Sequence, residues 1–205
     1  MSLRSAVPLL LTLNIAAGCG VVQSSDANGI GSSKPRAAVS ESIQGRWWTW
    51  AASEDESTNP VTDTTGEFCD RNQPKDVWFL AGTFGGTIQR TCNVPAGRPV
   101  VLPLVNQVGT EEQCREFMAT STGKATLDGK VITPERLEDD NVAITGVAGN
   151  PLTGEEGTVT SYACGVWARL PALKPGRHKL TIRGSSGNFR TGVDYTLIVQ
   201  PDQQA

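Results

Sequence analysis

The chain has 205 residues, 38% of them hydrophobic and 19% charged, with 18 basic against 21 acidic side chains and a formal net charge of -3. That length holds one domain of ordinary size together with a leader and a linker, and is short for two domains. The balance excludes a disordered chain and argues against sequence-independent nucleic-acid binding, which needs a basic surface to displace counterions.

The first residues read as an export signal. Met1-Ser2-Leu3-Arg4 is a short basic region, and residues 6–17 are apolar apart from Pro8, Thr12 and Asn14. The stretch is too short to anchor the chain across a bilayer, which takes about 20 apolar residues. It ends in Ile15-Ala16-Ala17-Gly18-Cys19. Small residues before a cysteine resemble the bacterial lipobox, although Ala16 stands where leucine is usual. The expectation is a lipoprotein signal peptide over residues 1–18, cleaved before a diacylglycerol-modified Cys19. An ordinary secretory signal cut nearby, leaving Cys19 as a thiol, is the alternative. Residues 19–39 then form a flexible tether rich in Ser, Gly and Asn, and residues 40–201 form the folded domain.

The domain opens with a short helix, because Ile43, Trp47, Trp50 and Ala51 fall at i, i+4, i+7 and i+8, with Ser40 or Ser42 available as the N-cap. Residues 77–81 are a continuous apolar run, the pattern of a strand covered on both faces. Gly85-Gly86 allows a tight turn into residues 87–94, whose Ile88, Arg90, Cys92 and Val94 share one face, so residues 77–94 read as a hairpin. Residues 100–108 form another apolar strand, in which Pro103 marks an edge or a bulge. Residues 111–118 read as one or two helical turns, and Asp128-Gly129 as a hairpin turn. Val142 and Ile144 alternate with polar neighbours, and residues 158–170 put Tyr162, Cys164, Val166, Ala168 and Leu170 on one face. His178, Leu180 and Ile182 point inward in the next strand, and Val193, Tyr195, Leu197 and Val199 in the last. Short strands in this number without a β-α-β rhythm imply a mainly β fold. The expected architecture is a single antiparallel β-sandwich, immunoglobulin-like or jelly-roll-like, with one or two short helices.

Cysteine usage fits export. Lipidation of Cys19 leaves Cys69, Cys92, Cys114 and Cys164, an even set suited to two disulfides in an oxidising compartment. With no C-x-x-C spacing and one histidine, a Cys/His zinc site is not expected. Cys69 and Cys92 flank the expected hairpin and are paired on that ground, Cys114 with Cys164 by elimination. Two other connectivities stay open.

Several segments carry a resemblance. Arg46-Trp47-Trp48-Thr49-Trp50-Ala51, Asn59-Pro60 with Asp63-Thr64-Thr65-Gly66, the segment Val77-Trp78-Phe79-Leu80-Ala81-Gly82-Thr83-Phe84-Gly85-Gly86, and Val94-Pro95-Ala96-Gly97 resemble a family of bacterial secreted proteins and lipoproteins of unassigned function. Leu173-Lys174-Pro175-Gly176-Arg177-His178 and Val193-Asp194-Tyr195 match its closing strands. The resemblance implies one extracytoplasmic domain over roughly residues 40–200 and carries no catalytic assignment.

Among candidate functional residues, Trp47, Trp48 and Trp50 are the densest aromatic cluster. Burial against a sheet explains Trp47 and Trp50, with Trp48 at the margin, where an aromatic ring can stack on a sugar face. Arg90 shares an apolar strand face, and a guanidinium there must find a carboxylate or backbone oxygens. Asp63 and Asp76 are its candidate partners in a structural ion pair, and a place in a ligand site is the alternative. His178 has no companion histidine and reads as structural. Neither H-E-x-x-H nor G-x-S-x-G occurs, and no catalytic residue is assigned. Glu54-Asp55-Glu56 and Glu138-Asp139-Asp140-Asn141 lack the spacing of a calcium loop and read as solvated loops. Gly82-Thr83-Phe84-Gly85-Gly86 lacks the lysine of a phosphate-binding loop, so its glycines read as turn formers, and no metal or cofactor is expected. The implied function is non-catalytic: a domain held at the cell surface or in the periplasm through acylated Cys19 in the membrane, binding a glycan or an envelope protein and no nucleic acid. The alternative is an extracytoplasmic enzyme acting on envelope polysaccharide through paired carboxylates.

Overall fold

A computed structural model describes residues 41–200. The expected leader, lipidated Cys19 and tether lie outside the described residues. The chain runs α1 (Ile43–Ala51), β1 (Trp78–Phe79), β2 (Gly86–Pro95), β3 (Val100–Gly109), α2 (Glu111–Thr120), β4 (Thr122–Leu127), β5 (Lys130–Ile132), β6 (Glu135–Gly146), β7 (Gly157–Leu170), β8 (Gly176–Ser186) and β9 (Phe189–Gln200). Neither helix is long and apolar enough to cross a membrane.

The fold is mainly β and has two sheets, one in the order β1-β3-β7-β6 and the other β2-β9-β8-β4-β5. Their facing sides share a core, to which Leu102, Leu104, Cys164, Val166 and Ala168 contribute from the first sheet and Cys92, Val94, Leu180, Ile182, Val193 and Leu197 from the second. The backbones nearly touch at one point: a Cβ on Gly184 would lie 2.0 Å from the carbonyl oxygen of Leu104. The other side of the four-stranded sheet is covered by α1. There Trp47, Trp50 and Ala51 bury Phe79, Val101, Val142, Ile144, Ala163 and Trp167, with the Trp47 and Trp167 rings edge to face at 5.7 Å.

Local signals account for both helices. The Ser42 hydroxyl accepts from Gly45 N at the start of α1, and Thr110 with Gln113 closes a reciprocal capping box on α2. Asp128 and Gly129, at φ +49° and +78°, form the two-residue turn between β4 and β5 that their sequence implies. The bulge expected near Pro103 is present, between Pro103 and Val105.

Two expectations are corrected. The sheets are not purely antiparallel, since β1 runs parallel to β3 and β2 parallel to β9. Residues 77–94 also do not form a hairpin, because β1 and β2 belong to different sheets. The physical reason is burial. Val77, Phe79 and Ala81 face the α1 core while Trp78 and Leu80 face the core between the sheets, so this run needs cover on both sides. β2 alternates buried and exposed residues and has cover on one side alone. The two disulfides are nevertheless Cys69–Cys92 and Cys114–Cys164, as paired from the sequence. Cys69 reaches Cys92 from the loop before β1, not across a hairpin.

Candidate functional site

Between β1 and β2 the chain crosses from one sheet to the other, and the crossing is pinned at Leu80, Ala81, Gly82 and Thr83. Leu80 N donates to Val101 O at 3.1 Å. Ala81 N donates to the Tyr195 hydroxyl at 3.2 Å, and that hydroxyl donates back to Ala81 O at 2.7 Å. Thr83 N donates to Thr191 Oγ1 at 3.1 Å, and the two threonine hydroxyls lie 3.0 Å apart. The chain then turns through Gly85 and Gly86, whose φ angles of +127° and +76° suit glycine. This turn carries Phe84 outward, 56% exposed.

Arg90 holds the crossing from behind. The side chain is 2% exposed. Its Nη1 donates to Ala81 O, Gly82 O and the Tyr195 hydroxyl, its Nη2 to Val61 O and its Nε to Asp63 O, over 2.7 to 3.2 Å. The expected ion pair is therefore corrected: the guanidinium is met by backbone oxygens of two loop segments, since a guanidinium offers five donors in a fork that two converging loops can fill. The Asp76 carboxylate pairs with Arg46 instead. The Asp63 carboxylate accepts from Thr65 N, Thr65 Oγ1 and Phe68 N. Burial pushes it up, but those bonds outweigh burial and hold it below the ordinary carboxylate value. Burial raises the Tyr195 hydroxyl while Arg90 pulls the other way, so it stays protonated and able to donate.

In front of this wall lies a small cleft of about 60 Å³. Its existence follows from the shortness of β1, which pairs with Val100 and Val101 alone. Pro103, Leu104, Val105 and Asn106 of β3 then line the opening. Trp47 and Trp48 of α1 form another side, and Phe84 and Phe189 flank it. Phe189, 37% exposed, stands at the β8–β9 turn. Trp47 Nε1 donates to Leu80 O at 3.0 Å. Trp48 Nε1 and Asn106 Nδ2 are buried and find no acceptor among the described residues.

Of the candidates read from the sequence, Trp48 lines the cleft, but it is buried at 6% exposure instead of standing at the margin. Its ring packs edge to face on Trp47 at 5.0 Å within the α1 core. Arg90 is not in the lining and acts through the backbone it holds. His178 lies elsewhere, with Nδ1 2.7 Å from Asp128 Oδ2 and Nε2 2.8 Å from Lys174 O, tying two turns together. The Glu54 and Asp55 carboxylates accept from Thr58, Asn72 and Ser57. Phe84, Phe189 and the Thr83–Thr191 pair did not stand out in the sequence. The signal that points to Phe84 is an aromatic between turn glycines, where no period supplies it with a buried neighbour.

No family model, curated protein or solved structure matches the chain.

Proposed function

We propose that the domain is a non-catalytic binding module whose ligand, a glycan, enters the cleft between Phe84 and Phe189. The composition of the cleft carries this reading. Its thirteen lining residues are aromatic or aliphatic residues, glycine, proline, threonine and asparagine, with no acid, base or thiol among them. Flanking aromatic rings suit the apolar faces of a pyranose, while the Thr83 and Thr191 hydroxyls suit its hydroxyls. Two facing sheets around one core support a β-sandwich of the immunoglobulin-like or jelly-roll-like kind. The basic and apolar leader, Cys19 and two disulfides support an exported chain anchored through acylated Cys19. The resemblance of residues 46–51 and 77–86 to bacterial secreted proteins and lipoproteins agrees with that address.

A glycan array and an envelope-polymer pull-down test this reading, with the mature chain set beside its Phe84→Ala/Phe189→Ala variant. Both rings are partly exposed, so the variant is expected to melt close to the parent and to lose retention. Equal retention of parent and variant on every glycan bound would overturn it.

A further inference from the structure

The five-stranded sheet buries one side in the core and leaves the other open, and the strand register fixes what stands there. Lys124 of β4 is opposite Arg183 of β8, and Arg183 is opposite Gly192 of β9. Arg190 of β9 is opposite Ser185, and Arg177 and Lys179 project on the same side toward the start of β8. All five basic side chains are exposed, while the alternating Leu180, Ile182 and Val193 are buried. Within these strands the one carboxylate on that side is Asp194, which takes Arg183 in a two-pronged pair at 2.8 and 3.0 Å. Five of the chain's 18 basic residues thus share a face with one of its 21 acidic residues, although the whole chain is net negative. Glu54, Asp55 and Glu56 follow α1, which covers the other sheet, and the β6–β7 loop that carries Glu155 and Glu156 is bonded to the same end of α1, with Glu56 N donating to Gly149 O and Val147 N to Ala52 O.

The arrangement costs stability where it is made. Like charges directly opposite across two strands repel, and Lys124 faces Arg183. Arg183 is drawn to Asp194 and lies across Gly192, where a Cβ would come 2.9 Å from its Cδ. That leaves Lys124 without a counter-ion among the described residues. Lys124, Arg183 and Arg190 border a concavity of about 220 Å³ together with Thr87, Thr122 and Ser185.

We propose that this face docks on a membrane surface carrying anionic phospholipid headgroups. Arg183 and Arg177 are six residues apart on β8, about 20 Å at strand rise, so the charge is spread over an area and matches a plane of phosphates better than a single oxyanion. Threonine and serine hydroxyls between the cations supply donors to phosphate oxygens. The acidic loops lie behind a second sheet about 10 Å away, comparable to the Debye length at 0.1 M salt, so one face approaches the surface while the others are held off. The proposal does not rest on the cleft or on lipidation of Cys19.

The test uses the full chain with Cys19→Ser, which removes any acyl anchor, sedimented with vesicles of phosphatidylcholine alone or of equal parts phosphatidylcholine and phosphatidylglycerol. Binding is expected to the mixed vesicles alone and to fall as salt rises. Each of Lys124→Gln, Arg177→Gln, Lys179→Gln and Arg190→Gln should weaken it about fivefold at low salt, and the four together should abolish it with the melting curve retained. Arg183 is kept because Asp194 already neutralises it. Equal binding to both vesicles, or unchanged binding by the fourfold variant, overturns the proposal. So does release by inorganic phosphate at constant ionic strength, which marks a discrete oxyanion site. Capture by heparin as tight as by the mixed vesicles also overturns it, since it marks a soluble polyanion as the partner.

Discussion

Replacing Arg90 by methionine removes five donated hydrogen bonds while nearly keeping the volume of the side chain. Ala81 O keeps the Tyr195 hydroxyl as a donor, so that carbonyl stays satisfied. The carbonyls of Val61, Asp63 and Gly82 lose the donor that meets them. A buried acceptor left unpaired costs about 1 to 3 kcal/mol, which puts the three at about 3 to 9 kcal/mol. Removing a buried charge returns about 2 to 4 kcal/mol of this, so the expected net loss is about 1 to 5 kcal/mol. At about 2 to 4 °C per kcal/mol for a domain of this size, the melting midpoint should fall by about 2 to 20 °C. Arg90→Lys should lie between parent and methionine variant, because one ammonium donates three bonds from a single atom and cannot span both loops. Calorimetry without reductant measures this with the disulfides intact. If Arg90→Met melts with the parent, the reasoning fails, and loss of glycan retention at an unchanged midpoint would return Arg90 to the ligand site.

Two further expectations concern stability. Gly184→Ala pushes a methyl against the Leu104 carbonyl at the closest approach of the sheets and should cost about 1 to 3 kcal/mol or more in a denaturant titration, whereas Gly86→Ala, with open space around its Cβ, meets only the strain of a positive φ. His178 is held above its ordinary value by the hydrogen bond to Asp128 first and by the Lys174 carbonyl second. Because its folded pKa is raised, its contribution is full below the unfolded value of 6.5 and is lost as pH rises through the folded one. The midpoint difference between parent and His178→Gln should therefore be larger at about pH 5.5 than at about pH 9.

The elements legible in the sequence are those whose information is local. α1 follows from apolar spacing and a serine cap, the β4–β5 turn from Asp128-Gly129, and the inward faces of β8 and β9 from alternation of apolar and polar residues. The failure at residues 77–94 came from treating Gly85-Gly86 as a reversal. The glycines do turn the chain, but they turn it into the other sheet. The two burial patterns already disagreed, since a run apolar at every position and a run apolar at alternate ones need different numbers of covered faces. Strands in one two-stranded hairpin would have had to share the same cover. That Cys69 still meets Cys92 shows how weakly a correct pairing tests the path assumed between its ends.

The cleft was hidden for a related reason. Its walls come from α1, the crossing after β1, the middle of β3 and the β8–β9 turn, and none of these carries an unusual residue for its local role. One inward arginine on β2 did carry long-range information. Its strand neighbours spend their own polar groups on the ladder, so a buried guanidinium at that position requires other backbone to converge on it. The convergence it requires is that of residues 61–63 with residues 81–82, the contact that holds Phe84 at the opening. A charge that cannot be neutralised, placed on an apolar strand face, thus locates the wall of the site even though it never touches what the site would hold.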